Sequence, residues 1–234
     1  MNKKVNLTDL RFSKADWYGN SEEIIVGGAG TIGSFLTPIL CRLGHEVYLY
    51  DMDNVEEHNI GVQLFGFESI GKSKVDAVKS LSNSICLLPI IETYNQEYTV
   101  ESLSSNIMIS CFDNMLARRT MFNNWVSFVE KLIDSGDSVN NCIFIDGRMD
   151  FTQFQIYCVT PDNIQRYKNT LFSDKDIDDA PCTLKTTPFI GPTIAGLMSS
   201  LLCSFLGNVY TNENMYDISF KVSLMFNPLI LNYE

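Results

Sequence analysis

The sequence predicts an α/β protein built on a mixed sheet, parallel in its N-terminal half and antiparallel in its C-terminal half. Three observations carry that expectation. Short apolar runs alternate with helical faces from Glu23 to Asp146, the pattern of βαβ units feeding a parallel sheet. A glycine cluster, Gly28-Ala29-Gly30-Thr31-Ile32-Gly33, stands between the first run and the first helical face. Past Asp150 the style changes, and Phe151 to Val159 alternates as an antiparallel strand does. Taken together these describe a Rossmann-like, three-layer fold.

The elements follow in order. Glu23 to Gly27 is a buried parallel strand in character. Ile32, Phe35, Leu36, Ile39, Leu40 and Leu43 fall on one helix face, and Gly44 stops that helix. Val47 to Tyr50 is the second strand, closed by Asp51. Lys74 to Leu81 reads as a helix, Ile90 to Tyr94 and Ile107 to Cys111 as strands. Phe122, Trp125, Val126, Val129, Leu132 and Ile133 give another helix face, and Cys142 to Asp146 a fifth strand. A polar loop from Pro161 to about Lys185 precedes an uncharged helix bearing Ile194, Leu197, Met198, Leu201, Leu202 and Phe205. Ile218 to Leu231 supplies one or two closing strands.

Composition narrows the function. A net charge of −11 over 234 residues argues against nucleic acid and anionic lipid, both of which require clustered Lys and Arg. No charge lies between Lys185 and Glu213, but Gly191, Pro192, Gly196, Ser199, Ser200 and Ser204 interrupt that stretch. It reads as a buried helix and not as a membrane span. The seven cysteines are odd in number and contain no C-x-x-C pair. This disfavours disulfides and structural zinc and points to a reducing, cytoplasmic setting.

The glycine cluster fits G-x-G-x-x-G, after a strand and opening a helix. Glycines let the backbone approach a phosphate, and the helix start offers N–H donors. Asp51, at the end of the second strand, can accept from ribose hydroxyls. Both features serve NAD as well as ATP. Polar side chains from Asp53 to Gln63, then Gly71, Lys72 and Lys74, favour ATP, since Lys74 can reach a β- or γ-phosphate. A hydride-transfer enzyme has no use for that set, and neither His45 nor His58 stands in a catalytic setting. Asp113 and Asn114 end the strand 107–111, where carboxyl ends of strands line the ligand crevice. There Asp113 suits Mg²⁺ held with phosphates, while Asp or Asn before Met115 equally suits a helix cap.

These motifs together resemble the ThiF/MoeB/HesA family, the fold of ubiquitin-activating-type enzymes. The matching residues are Gly28 to Gly33, Asp51-x-Asp53-x-Val55-x-x-x-Asn59-x-x-x-Gln63, Gly71-x-x-Lys74, and Asp113-Asn114 with Arg118, within a stretch from about Glu23 to Leu206. The resemblance implies ATP-dependent adenylation of the C-terminal carboxylate of a ubiquitin-like or sulfur-carrier-like protein ending in Gly-Gly. It implies that Asp51 holds ribose, that Asn59, Gln63 and Lys74 contact phosphates, that Asp113 binds Mg²⁺, and that the chain forms a homodimer, with 189–207 as a buried or interface helix. It makes the whole chain one domain: an arm over 1–22, a nucleotide-binding half over 23–147, and an antiparallel half over 148–234 with a crossover loop at 160–188.

The chain departs from the family pattern in two ways. The family's Asn-x-x-Arg-Gln carries its arginine where this chain has Val62, which leaves the triphosphate one cation short. Arg11, Lys72 and Arg118 are the substitutes available. Family dimers also lend an arginine from the partner's N-terminal segment, for which Arg11 is the candidate. The paired C-x-x-C motifs of bacterial members are absent, so no zinc is expected.

Ala180-Pro181-Cys182-Thr183-Leu184-Lys185-Thr186-Thr187-Pro188 resembles the stretch around the thioester cysteine of the same enzymes. It marks Cys182 as a candidate nucleophile toward the adenylate, with Lys185 and the following helix start able to lower its pKa. The acidic run Asp174, Asp176, Asp178 and Asp179 lacks the glycine and closing glutamate of a calcium loop, and reads as a solvated segment. Two rivals stand beside adenylation: a non-catalytic relative that binds nucleotide or a partner, and an NAD-dependent oxidoreductase.

Overall fold

A computed structural model of the chain describes residues 11–87, 89–150, 152–172 and 187–234. The described residues form one eight-stranded sheet in the order β3-β2-β1-β4-β5-β6-β7-β8. Strands β1 (Glu23–Gly27), β2 (Glu46–Tyr50), β3 (Ile90–Tyr94), β4 (Ile107–Ser110) and β5 (Ile143–Met149) pair in parallel. From β5 onward the pairing is antiparallel, through β6 (Gln153–Val159), β7 (Lys221–Phe226) and β8 (Leu229–Tyr233). The mixed sheet expected from the sequence is therefore the one observed.

Helices cover both faces. On one, α1 (Gly33–Leu43), α2 (Lys74–Ile85) and α5 (Ile190–Thr211) bury Leu36, Leu40, Val75, Val78, Ile194 and Leu202 against Ile24, Val26, Ile107 and Ile145. On the other, α3 (Met115–Ser135) and α4 (Ile164–Lys168) bury Phe122, Trp125 and Tyr167 against Met108, Phe144 and Tyr157. β1 explains the arrangement. Its last four residues are buried on both faces, and alternate side chains reach the two cores. Fully burying one such aliphatic side chain contributes about 1.5–3 kcal/mol.

Local signals set the ends. Gly44 closes α1 in the left-handed region (φ 91°), and its N–H donates to Cys41 O and Leu40 O. Ser73 caps α2 by accepting from Asp76 N, and Asn114 caps α3 by accepting from Ala117 N. The helix α5 is long and apolar enough to cross a membrane by composition, yet 61% of its most apolar window is buried inside the fold. That matches the buried-helix reading. Several boundaries differ from the sequence expectation: β2 begins at Glu46, β4 ends at Ser110 and β6 begins at Gln153. α2 runs on to Ile85, α3 begins at Met115, and β5 extends to Met149. The short α4 has no periodic signal in the sequence.

The strand order reverses between β1 and β4. In such sheets the ligand crevice opens at the carboxyl ends of the two strands that flank this switch point. The opposite end holds a buried histidine. His45 is 2% exposed and accepts from Glu22 N at Nδ1, while its Nε2 has no partner. Burial pulls its pKa from 6.5 down to about 4. The unfolded chain thus binds a proton below pH 6.5 that the folded chain refuses, so stability falls as pH drops from 6.5 toward 4. The loss expected is about 2–3 kcal/mol. In urea titrations at pH 7 and pH 4.5, His45→Asn should show a smaller pH-dependent loss than wild type.

Candidate functional site

The glycine loop links β1 to α1 through close backbone contacts. Gly28 has φ 94°, and its N–H donates to Tyr50 O at 2.8 Å, tying the loop to the end of β2. A Cβ at Gly33 would stand 1.8 Å from the Gly28 carbonyl oxygen, so only glycine lets the first helical turn meet the loop. Gly30 is different: a Cβ there would meet only the Gln63 side-chain nitrogen, at 4.0 Å. That position is the open face of the loop. Ala29 is buried, Thr31 is half-buried, and Ile32 sends its side chain into the core. α1 opens with no side-chain cap, which suits an anion at its N-terminus.

Asp51 closes the loop from below. Its Oδ2 accepts from Ala29 N at 2.7 Å and its Oδ1 from Asp53 N at 2.8 Å. Burial raises its pKa, against the pull of those two N–H bonds and of Lys74. Asp53 in turn holds Lys74. The ammonium lies 2.8 Å from Asp53 Oδ2, and Lys74 N donates to Asp53 O at 2.9 Å. The Lys74 side chain is only 10% exposed, so it is an ordered cation at the first turn of α2.

The segment after Asp53 folds back over the loop. Asn59 is buried, and its carboxamide oxygen accepts from Glu56 N at 2.8 Å in a reciprocal capping arrangement. This interaction shapes the 51–63 segment. Gln63 N donates to Asn59 O at 2.8 Å. Leu64 N donates to Ser34 Oγ at 3.0 Å, which anchors the segment to α1. Gln63 consequently stands beside Gly30, with a buried side-chain oxygen that has no partner. Val62 is half-buried at the slot the sequence comparison marks as cation-poor.

β4 brings the fourth component. Cys111 N donates to Gly27 O at 2.7 Å, so the end of β4 lies beside the glycine loop. Asp113 and Asn114 follow, both exposed. Asn114 is the helix cap, accepting from Ala117 N at 2.8 Å. The two roles left open by the sequence therefore divide, with Asp113 outside the cap. Among the described residues no group of three or more metal-ligating side chains converges. Asp113 alone is no cage, but it fits a magnesium ion that arrives with phosphates, since that ion needs only one or two carboxylates and keeps its waters.

Arg118 lies buried behind the loop after β4. It is 5% exposed, its Nε donates to Asp146 Oδ1 at 2.6 Å, and its Nη2 donates to the Phe112 carbonyl. Its guanidinium is thus engaged by Asp146 and the loop carbonyl, with Nη1 against Met115 Sδ at 4.0 Å. Lys72 and Arg11 are exposed. Asp146 is fully buried, yet Arg118 and Arg148 outweigh the cost of burial and hold its carboxyl below the usual range. Sequence reading missed Asp146, Arg148 and Tyr167. The available signal was a carboxylate ending the apolar run Ile143 to Ile145.

Cys182 and the acidic run from Asp174 to Asp179 lie outside the described residues. Among the described cysteines, burial pushes the thiols of Cys41 and Cys158 up to about 12 and those of Cys142 and Cys203 up to about 11. These are inert thiols.

The site thus gathers Gly28–Gly33, Asp51, Asp53, Lys74, Gln63 and Asp113 at the carboxyl ends of β1, β2 and β4. A profile of the ThiF family matches residues 4–225. The chain belongs to the ThiF family. Two ubiquitin-like modifier-activating enzymes 5, from Bombyx mori and Dictyostelium discoideum, are each 28% identical to it, over 134 and 135 residues. Each match covers 50% of this chain but only 34% and 35% of the relative, so the aligned stretch spans about a third of those proteins. Among solved structures of similar fold, PaaA superposes with a TM-score of 0.65 at 16% identity, covering 91% of this chain and 63% of PaaA. E. coli MccB with ATP superposes with a TM-score of 0.62 at 16% identity, covering 94% of this chain and 64% of MccB. MccB with MccA-N7isoASN gives 0.65 at 14% identity, covering 94% and 65%. In this ThiF-family chain the fold is shared across nearly the whole length while the sequence has diverged.

Proposed function

We propose that the chain activates the C-terminal carboxylate of a small protein or peptide by adenylation. A carboxylate oxygen attacks the α-phosphorus of ATP in line, the bond to the bridging oxygen breaks, and pyrophosphate leaves. The observation that carries this reading is an open glycine loop joined through Asp51 and Asp53 to the ordered ammonium of Lys74, with the exposed Asp113 two residues past the Cys111–Gly27 bond. The reaction needs positioning and charge stabilisation more than an acid or base. Gly30 lets the phosphates approach the backbone, and Asp51 offers its remaining lone pairs to ribose. Lys74 and Gln63 face the phosphate chain, and Asp113 would hold magnesium. When bound, that ion neutralises phosphate charge. The names of the relatives favour a ubiquitin-like protein as substrate, and the MccB complexes favour a peptide. The two share the chemistry of a free C-terminal carboxylate.

The test is ATP–pyrophosphate exchange with candidate partners ending in Gly-Gly. Exchange that depends on the partner supports the reading; absence of both exchange and ATP binding sinks it. If Cys182 then accepts the acyl group, a DTT-sensitive conjugate should form with wild type and vanish in Cys182→Ala while exchange persists. A homodimer belongs to the same reading, and sedimentation equilibrium measures it.

Val62 supports a second reading, a relative that binds nucleotide without turning it over. Installing the absent cation decides between them. Val62→Arg should raise partner-dependent exchange about tenfold or more, as one added charge-assisted contact to the triphosphate would. Tight ATP binding in both proteins with no exchange in either assigns the chain to the binding role.

A further inference from the structure

The fully buried Asp146 is the hub of a network that reaches three elements. Its Oδ1 accepts from Arg118 Nε at 2.6 Å, and its Oδ2 accepts from Arg148 Nε at 2.6 Å and from Tyr167 OH at 2.8 Å. On one side, Arg118 reaches past the hub to the carbonyl of Phe112, the residue before Asp113. On the other, Arg148 donates from Nη1 to Thr170 O and from Nη2 to Thr170 Oγ1, both at 3.0 Å. Arg119 Nη2 adds a bond to Phe172 O at 2.9 Å. The Arg148 guanidinium also lies 4.4 Å from the Tyr157 ring centroid and 5.4 Å from that of Tyr167.

Burial makes this arrangement costly unless it performs a task. A buried ion pair is weak grounds for stability, because apolar side chains of similar volume often serve as well. Here the groups are satisfied, and the bonds run from α4 and the stretch that follows it to the loop after β4. Asp113, by contrast, has no hydrogen bond of its own among the described residues. Its place rests on the Phe112 carbonyl behind it and on the Asn114 cap ahead of it.

We infer that Arg118, Asp146, Arg148 and Tyr167 are positioning residues that fix the Asp113 loop and tie it to Tyr167–Thr170. The inference builds on the adenylation reading, in which Asp113 serves the magnesium–nucleotide complex. The network touches no reacting atom. It sets where Asp113 stands, and it makes that placement answer to the segment 167–172.

Tyr167→Phe and Thr170→Val each remove one hydroxyl from the network without unpairing Asp146 and the two arginines. Hydrogen exchange of the full chain, with no ligand, is the first measurement. The Cys111 and Ala117 amides, bonded to Gly27 O and Asn114 Oδ1, should exchange about tenfold faster in Tyr167→Phe, as expected when a hydrogen bond to a charged group is lost. A smaller rise is expected in Thr170→Val. Amides of β1 and β2 should not change. A rise spread evenly over the sheet, or no rise at Cys111 and Ala117 in either variant, overturns the inference. Where exchange activity is present, Tyr167→Phe should raise the magnesium concentration for half-maximal rate severalfold and leave the apparent affinity for the carboxylate partner unchanged. Equal losses in both would overturn it too. Failure of wild type to turn over ATP would count against adenylation alone, because the amide measurement needs no activity.

Discussion

Gly33→Ala should abolish the nucleotide site by unfolding the loop that forms it, while Gly30→Ala should fold and yet lose ATP. At Gly33 the new methyl would stand 1.8 Å from the Gly28 carbonyl oxygen, which is backbone held by the Gly28–Tyr50 bond and cannot step aside. Moving α1 away would open the core it shares with α5 and β1. Such overpacking against fixed backbone places the cost at about 3 kcal/mol or more, a large part of the stability of a single domain. At Gly30 the methyl meets only the flexible end of Gln63. The expected stability change is within about 1 kcal/mol, but the methyl occupies the face by which phosphates approach. Thermal melts together with ATP titrations separate the two outcomes. Equal loss of stability in both variants would contradict the division of labour between these glycines.

Lys74→Met carries the second large effect, and it should fall on chemistry and spare the fold. The stem of Lys74 is buried, and methionine retains most of that packing. The lost partner, Asp53, is 57% exposed and returns to water, so the ion pair itself contributes little to stability. A preorganised cation aimed at developing phosphate charge is worth far more, roughly 10²–10³ in rate. Partner-dependent exchange in Lys74→Met should therefore fall by about that factor, with a melting temperature close to wild type. A fall below tenfold would remove Lys74 from the reaction.

Much of this fold was legible because its signals are local. β1, the glycine turn, α1 and β2 lie within 28 residues (23–50), and each boundary is marked by Gly28, Gly44 or Asp51. β3 carries a fainter apolar signal because it is an edge strand, with Ile90 half-exposed. The start of α3 is marked by its cap at Asn114 and not by the apolar stripe, which begins only at Phe122 because Leu116 is 67% exposed. α4 is too short to show a period. The site divides along the same line. Asp51, Lys74 and Asp113 are recognisable from their place after strands and before helices. The partner of Arg118 stands 28 residues away, and no spacing rule reveals that pairing.

The Lys74–Asp53 pair has a consequence for how nucleotide enters. Asp53 holds the ammonium at 2.8 Å, so the side chain is already ordered. A free lysine gives up about 1.5–2 kcal/mol of rotamer freedom on being fixed. Here that freedom is surrendered when the chain folds, not when ATP arrives. Under the proposed function, a phosphate oxygen would replace the Asp53 carboxylate on Lys74, one oxyanion for another.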